Sequence, residues 1–135
     1  MPTPAVLLGL LAAATLACPA MADERWSVDG GQSYYEAEVD GVAVFSFPYA
    51  NGKGVIYVEG LVGNLDGRGT HAGYWIASGE GPCTAMLTGP DGFSSNNWGW
   101  ATITFDQPTF PTAWTGAMGE CNYDGMSWEM RATPY

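Results

Sequence analysis

The amino-acid sequence predicts an all-β protein: a small single-domain antiparallel sandwich or barrel of about seven or eight strands, held by one disulfide. Three observations predict it. Apolar and polar residues alternate with period two in several short runs, the pattern of a half-buried strand. Asp-Gly occurs five times, beginning at Asp29, Asp40, Asp66, Asp91 and Asp124, and it suits tight turns whose residues need positive φ. Positions 23–135 hold 18 Phe, Trp and Tyr against 13 Val, Ile and Leu, so the core is expected to be built from rings. Few aliphatics and a formal net charge of −10 also match a disordered composition. The six Trp and seven Tyr overrule that reading, because disordered chains are poor in such residues.

Residues 1–22 read as a removable signal peptide. Val6 to Ala17 is an apolar run of 12 residues, too short for a bilayer that needs about 20. Ala20-Met21-Ala22 supplies a small-x-small cleavage pattern, which would leave Asp23 as the first mature residue. No Lys or Arg precedes the apolar run. Thr15-Leu16-Ala17-Cys18 partly resembles a bacterial lipoprotein box, with Thr15 where Leu is usual. The expected location is therefore periplasmic or secreted, with no membrane contact unless Cys18 is lipidated. Residues 23–135 suffice for one domain with one core.

Along that domain, Tyr34 to Val39 and Val42 to Phe47 are strand-like runs separated by Asp40-Gly41, a hairpin signal. Val55 to Val62 follows the Gly-rich turn Ala50-Asn51-Gly52-Lys53-Gly54. Ala72 to Ser78, Thr84 to Leu87 and Trp98 to Phe105 are further runs. Met126, Trp128 and Met130 alternate with Ser127, Glu129 and Arg131 and are expected to face inward. Pro108 and Pro111 argue against a central strand there, so Phe110 and Trp114 are expected to anchor a crossing loop on the core. Cys83 and Cys121 are the two cysteines left after cleavage, an even number that in an exported chain implies a disulfide.

The charge balance excludes a nucleic-acid partner, since four basic residues against 14 acidic ones cannot neutralise a phosphate track. No metal-ligand spacing, nucleophile motif or cofactor fingerprint is present, so no metal, cofactor or catalytic residue is expected. His71, the single histidine, lies near Asp66 and would be the base of a small hydrolase. A carboxylate pair is the other route to hydrolysis, with Glu36 and Glu38 on one strand face and Glu59 across from them. The loops 64–67 and 91–97 offer oxygen ligands for calcium without a known calcium spacing.

The segment from Gly89 to Trp100 carries the main functional expectation. Ser94, Ser95, Asn96 and Asn97 run into Trp98 and Trp100, which share one face of an extended strand, with Ala101, Ile103 and Phe105 on the other. Indole rings stack on the C–H faces of sugars, while Asn and Ser bond hydroxyl groups. The expected function is that of an exported, non-enzymatic binding domain recognising a glycan or cell-envelope component through exposed aromatics, with these six residues as the ligand surface. The opposing expectation is that both tryptophans fill the core. A structural or protein-interaction module with an acidic surface is the alternative function.

Overall fold

The computed structural model describes residues 24–50, 52–61 and 68–135. The expected signal peptide, Cys18, Asp66 and the 64–67 loop lie outside the described residues. Ten strands follow in order: β1 (Arg25–Val28), β2 (Gly31–Val39), β3 (Val42–Tyr49), β4 (Gly52–Glu59), β5 (Thr70–Ala77), β6 (Leu87–Thr88), β7 (Ser94–Ser95), β8 (Asn97–Phe105), β9 (Trp114–Met118) and β10 (Trp128–Pro134). Eight of them close an antiparallel barrel in the circular order β1, β2, β3, β4, β5, β8, β9, β10. The strands β6 and β7 form a separate two-stranded ribbon between β5 and β8.

The Asp40-Gly41 turn forms as the sequence implies, whereas Gly52, Lys53 and Gly54 of the expected Gly-rich turn belong to β4 and pair with β3. Val39 pairs with Val42 across a two-residue turn, where Asp40 and Gly41 have φ of 51° and 77°. Such paired positive φ values match the right-handed twist of the flanking strands. Ala101, Ile103 and Phe105 of β8 are buried, whereas Trp98 and Trp100 on the opposite face are half-buried.

Four further expectations are corrected. The strands β1 and β9 are additional to those read from the sequence: β1 alternates, with Trp26 and Val28 inward, but over only four residues, and Gly116 interrupts β9, so neither stands out in the sequence. The run at Thr84 to Leu87 contributes only Leu87 to β6. Met126 lies before β10 and is exposed, so inward alternation begins at Trp128. Glu36 and Glu38 do not share a face. A register shift between Tyr35 and Ala37 makes Glu36 the extra residue of a bulge. Its carboxylate accepts a bond from Ser46, while Glu38 pairs with the core residue Ala43 and accepts a bond from Tyr35.

Rings fill the barrel. Trp26, Phe45 and Trp114 have centroids 5.7–6.3 Å apart in tilted or edge-on contacts. Toward the other end lie Phe47, Trp75 and Trp128, with Trp128 at 5.7–5.8 Å from the other two. The gap between Phe45, Ile56, Ile103 and Trp114 admits no water-sized sphere. Eight strands leave an interior that side chains can fill, and here aromatic rings do so together with Ile56, Val58, Leu61 and Ile103.

A second apolar layer covers part of the outside. Val44, Val55, Tyr57 and Ile76 point outward and pack with Leu87, Phe93 and Trp98. The Tyr57 hydroxyl donates to Asp91 at 2.7 Å, and its ring stacks on Tyr74 at 5.0 Å. Gly89 is required there, because a Cβ would come 2.3 Å from the Tyr57 ring. Burial raises the Tyr35, Tyr57 and Tyr74 phenols, and acceptance by Glu38 and Asp91 reinforces this for the first two.

Two predictions follow from the core. The Trp26 indole donates to the Thr112 carbonyl at 2.8 Å, whereas the buried Trp114 Nε1 has no partner. Trp26→Phe should therefore cost about 1 kcal/mol more than Trp114→Phe in denaturant unfolding, since only the former loses a bond. Equal costs would contradict this assignment. For the phenols, a folded-state pKa above the ordinary value of 10.0 keeps them neutral where the unfolded chain ionises. Their contribution is complete below pH 10 and falls as pH rises above it. Spectrophotometric titration of the native protein just above pH 10 should leave these three of the seven tyrosines silent until unfolding.

Candidate functional site

The six residues expected to form a ligand surface lie from β7 to the start of β8, fall on both faces of the strand, and all bond to other parts of the chain. Trp98 and Trp100 do point out of the barrel, but each is tied to a loop. The Trp98 indole donates to the Ala85 carbonyl at 2.8 Å, and that of Trp100 donates to the Tyr123 carbonyl at 3.2 Å. Ser95 is buried, donates to the Gly79 carbonyl and accepts from the Asn97 amide. Asn97 is buried on the inner side, where its amide reaches the Tyr49 hydroxyl and the Ser78 carbonyl. The Asn96 side chain accepts from the Gly81 amide. Ser94 is exposed and bonds Thr88 within the ribbon. Most of the polar groups that would meet a ligand are thus engaged in holding loops.

The disulfide explains that arrangement. Cys83 and Cys121 are bonded with Cα atoms 5.5 Å apart. Beyond Met118 the chain stays against β8, with Gly119 and Cys121 amides donating to Trp100 and Trp98 carbonyls at 2.9 and 2.8 Å. On the other side Cys83 donates its amide to the Asn96 carbonyl at 3.2 Å. Gly119 lies so close that a Cβ would meet Trp100 Nε1 at 1.8 Å, and its carbonyl accepts the Trp75 indole from inside the barrel. The crosslink therefore clamps two loops over the outward tryptophans.

The remaining chemical candidates are equally placed. His71 is half-buried at one barrel end, edge-on to Phe105 at 6.5 Å, and its buried Nε2 has no partner among the described residues. Asp91 is occupied by the Tyr57 hydroxyl and the Phe93 amide. Among the described residues no three His, Cys, Asp or Glu side chains converge as a metal site.

The structure gathers exposed rings somewhere else. A surface cleft of about 720 Å³ is lined by Arg25, Tyr34, Tyr35, Glu36, Phe110 and Tyr135. Pairing of β1 with β2 sets Arg25 beside Tyr34, and the bulge in β2 places Glu36 next to them. The loop between β8 and β9 delivers Phe110, which leans edge-on against Trp26 at 6.2 Å. A bidentate pair from Arg131 to Asp106 at 2.6 and 3.0 Å ties the start of that loop to β10. This bonding, against a smaller desolvation effect, holds the Asp106 carboxyl below its ordinary value. Tyr34 and Phe110 are each 36 % exposed and Tyr135 is 65 % exposed. The Arg25 guanidinium lies 4.2 Å over the Tyr135 ring and has no carboxylate partner among the described residues. At the floor, Tyr35 donates to Glu38 at 2.9 Å and stays neutral. Sequence reasoning missed this cleft because its residues come from four separated segments. The one local signal was Tyr34-Tyr35-Glu36.

No protein-family model matches this chain, and no curated protein or solved structure shows significant similarity to it.

The crosslink yields a prediction. It closes a loop of sequence separation 38, so Cys83→Ser with Cys121→Ser should lower stability by about 4 kcal/mol on the chain-entropy model. Trp100 fluorescence should shift toward the solvent-exposed range in the same variant as the clamp loosens. An unchanged denaturation midpoint would refute the structural role.

Proposed function

We propose that this chain is an exported, non-enzymatic binding domain that recognises a glycan or related cell-envelope component through the cleft at Tyr34, Phe110 and Tyr135. One observation carries the reading: three partly exposed rings from separate segments surround a cleft that also presents Arg25 and Glu36. Aromatic faces suit the C–H faces of a sugar, and a guanidinium and a carboxylate bond its hydroxyl groups. A concave surface with a few placed polar groups is the usual form of a ligand site. The disulfide supports an oxidising compartment and so agrees with export.

A protein partner is the second reading. The two loops joined by the disulfide carry Met86, Tyr123 and Met126, which are 64 %, 57 % and 56 % exposed. With a net charge of −10, such an interface would favour a basic partner and weaken as salt rises.

A glycan array with wild-type protein, Tyr34→Ala and Tyr135→Ala tests the first reading. Wild type should bind a defined set of glycans, each variant should lose about tenfold in affinity, and Trp98→Ala and Trp100→Ala should retain binding while folded. No glycan binding by wild type sinks it, as does equal binding by the cleft variants. Capture of a basic protein at low salt only would favour the second reading.

A further inference from the structure

A different opening lies at the far end of β1. Ser27 pairs with Thr133 and Trp26 with Pro134, so β1 ends opposite Ala132 and turns away at Asp29-Gly30. The strand β10 continues beyond it, and Trp128, Glu129, Met130 and Arg131 pair with β9 alone. At about 3.3 Å per residue this leaves a step roughly 13 Å high in the barrel wall. A pocket of about 570 Å³ occupies the step, lined among others by Asp29, Phe47, Tyr49, Trp128, Glu129 and Met130.

The rings of this pocket are already locked. Phe47 lies edge-on to Tyr49 at 6.1 Å and tilted against Trp128 at 5.8 Å. Behind them Trp75 stacks on Tyr49 at 6.1 Å and meets Trp128 edge-on at 5.7 Å. The Tyr49 hydroxyl is held by the Asn97 amide at 3.0 Å. A preformed aromatic wall loses little freedom when it receives a ligand.

The charge around it is one-sided. Asp29 and Glu129 have no ion-pair partner among the described residues. The third charged group, Arg131, is engaged by Asp106 through two bonds and by Thr115 at 2.9 Å. The pocket therefore carries two carboxylates without an ion-pair partner among the described residues, beside its indole, phenol and phenyl rings, on a chain of net charge −10. An aromatic face attracts a cation through its quadrupole, most strongly for Trp. An acidic field raises the local concentration of cations.

From this juxtaposition we propose that the step between β1 and β10 is a second binding site, which takes a small organic cation with a compact apolar body, of the alkylammonium or arylammonium class. The apolar body enters against Phe47 and Met130, and the ammonium group stays at the rim against Trp128, near Asp29 and Glu129. This site is independent of the Tyr34–Tyr135 cleft.

Benzyltrimethylammonium is the probe, titrated into the intact disulfide-bonded protein with calorimetric and tryptophan-fluorescence readouts. Its neutral tert-butyl analogue of the same shape is the control. The cation should bind saturably and more tightly than the control. Trp128→Leu should weaken it by about 2- to 30-fold, the range set by cation–π attraction. Asp29→Asn with Glu129→Gln should weaken it too, more at low salt than at high salt. That double variant keeps the turn and the rings, so it decides the matter if Trp128→Leu fails to fold. Tyr34→Ala, which lies in the other cleft, should leave the affinity unchanged. Three results would overturn the proposal: no saturable binding at millimolar probe, equal binding of the neutral analogue, or an affinity indifferent to the Asp29 and Glu129 replacements. Loss of cation binding with Tyr34→Ala would overturn its placement. Failure of the glycan experiment would touch none of these outcomes.

Discussion

Closing this barrel depends on a strand of only four residues, and that strand is held by the burial of one indole. Trp26 of β1 is fully buried, contacts Phe45, Trp114 and Phe110, and donates to the Thr112 carbonyl. Those partners belong to β3, to β9 and to the loop before β9. Backbone pairing of so short a strand with β2 and β10 supplies few ladder bonds, so its interior anchor matters more than it would in a long strand. Ring-to-ring contacts of this kind add to simple burial, each by about 0.5–1.5 kcal/mol. The short strand also creates the step beside β10, because the wall has no material where β1 has already turned.

The outer layer follows a different logic. The barrel core contains few aliphatics, and several outward positions are themselves apolar: Val44, Val55, Tyr57, Ile76 and Trp98. A sheet face of that character must be covered, and the segment between β5 and β8 covers it. The Cys83–Cys121 bond then joins this cover to the chain leaving β9. Trp98 and Trp100 seat the two loops by donating to their carbonyls. The same two residues that look like a ligand platform in the sequence are anchors for loops in the fold.

The two proposed binding surfaces lie where these two layers stop. One cleft opens near the start of β1 and the end of β10, where Arg25 and Tyr135 meet Phe110. The other opens near the end of β1 and the start of β10, where Asp29 faces Trp128 and Glu129. Their chemistry differs. The first offers a guanidinium with no carboxylate partner among the described residues, set among exposed rings, and the second offers carboxylates beside packed rings. Both lie at the barrel seam, where turns and strand ends meet the filled interior.

Much of the architecture was legible in the sequence. The alternation of Trp98 to Phe105 determined which face of β8 turns inward, because side chains alternate strictly along an extended chain. Asp40-Gly41 determined a two-residue hairpin, because few other residues adopt positive φ at both turn positions. Two cysteines within residues 23–135 determined the crosslink. Tertiary structure alone decided the remainder. It made the sheet a closed barrel by pairing β1 with β10, a contact between residues more than a hundred positions apart. It turned Glu36 away from Glu38 through a bulge, whose extra residue depends on the neighbouring strand and leaves no local mark. It brought Arg25, Tyr34, Phe110 and Tyr135 to one cleft, and it spent the hydrogen bonds of Ser95, Asn97, Trp98 and Trp100 on the chain itself. Local pattern specifies which way a side chain points, whereas only the closed fold specifies what it meets there.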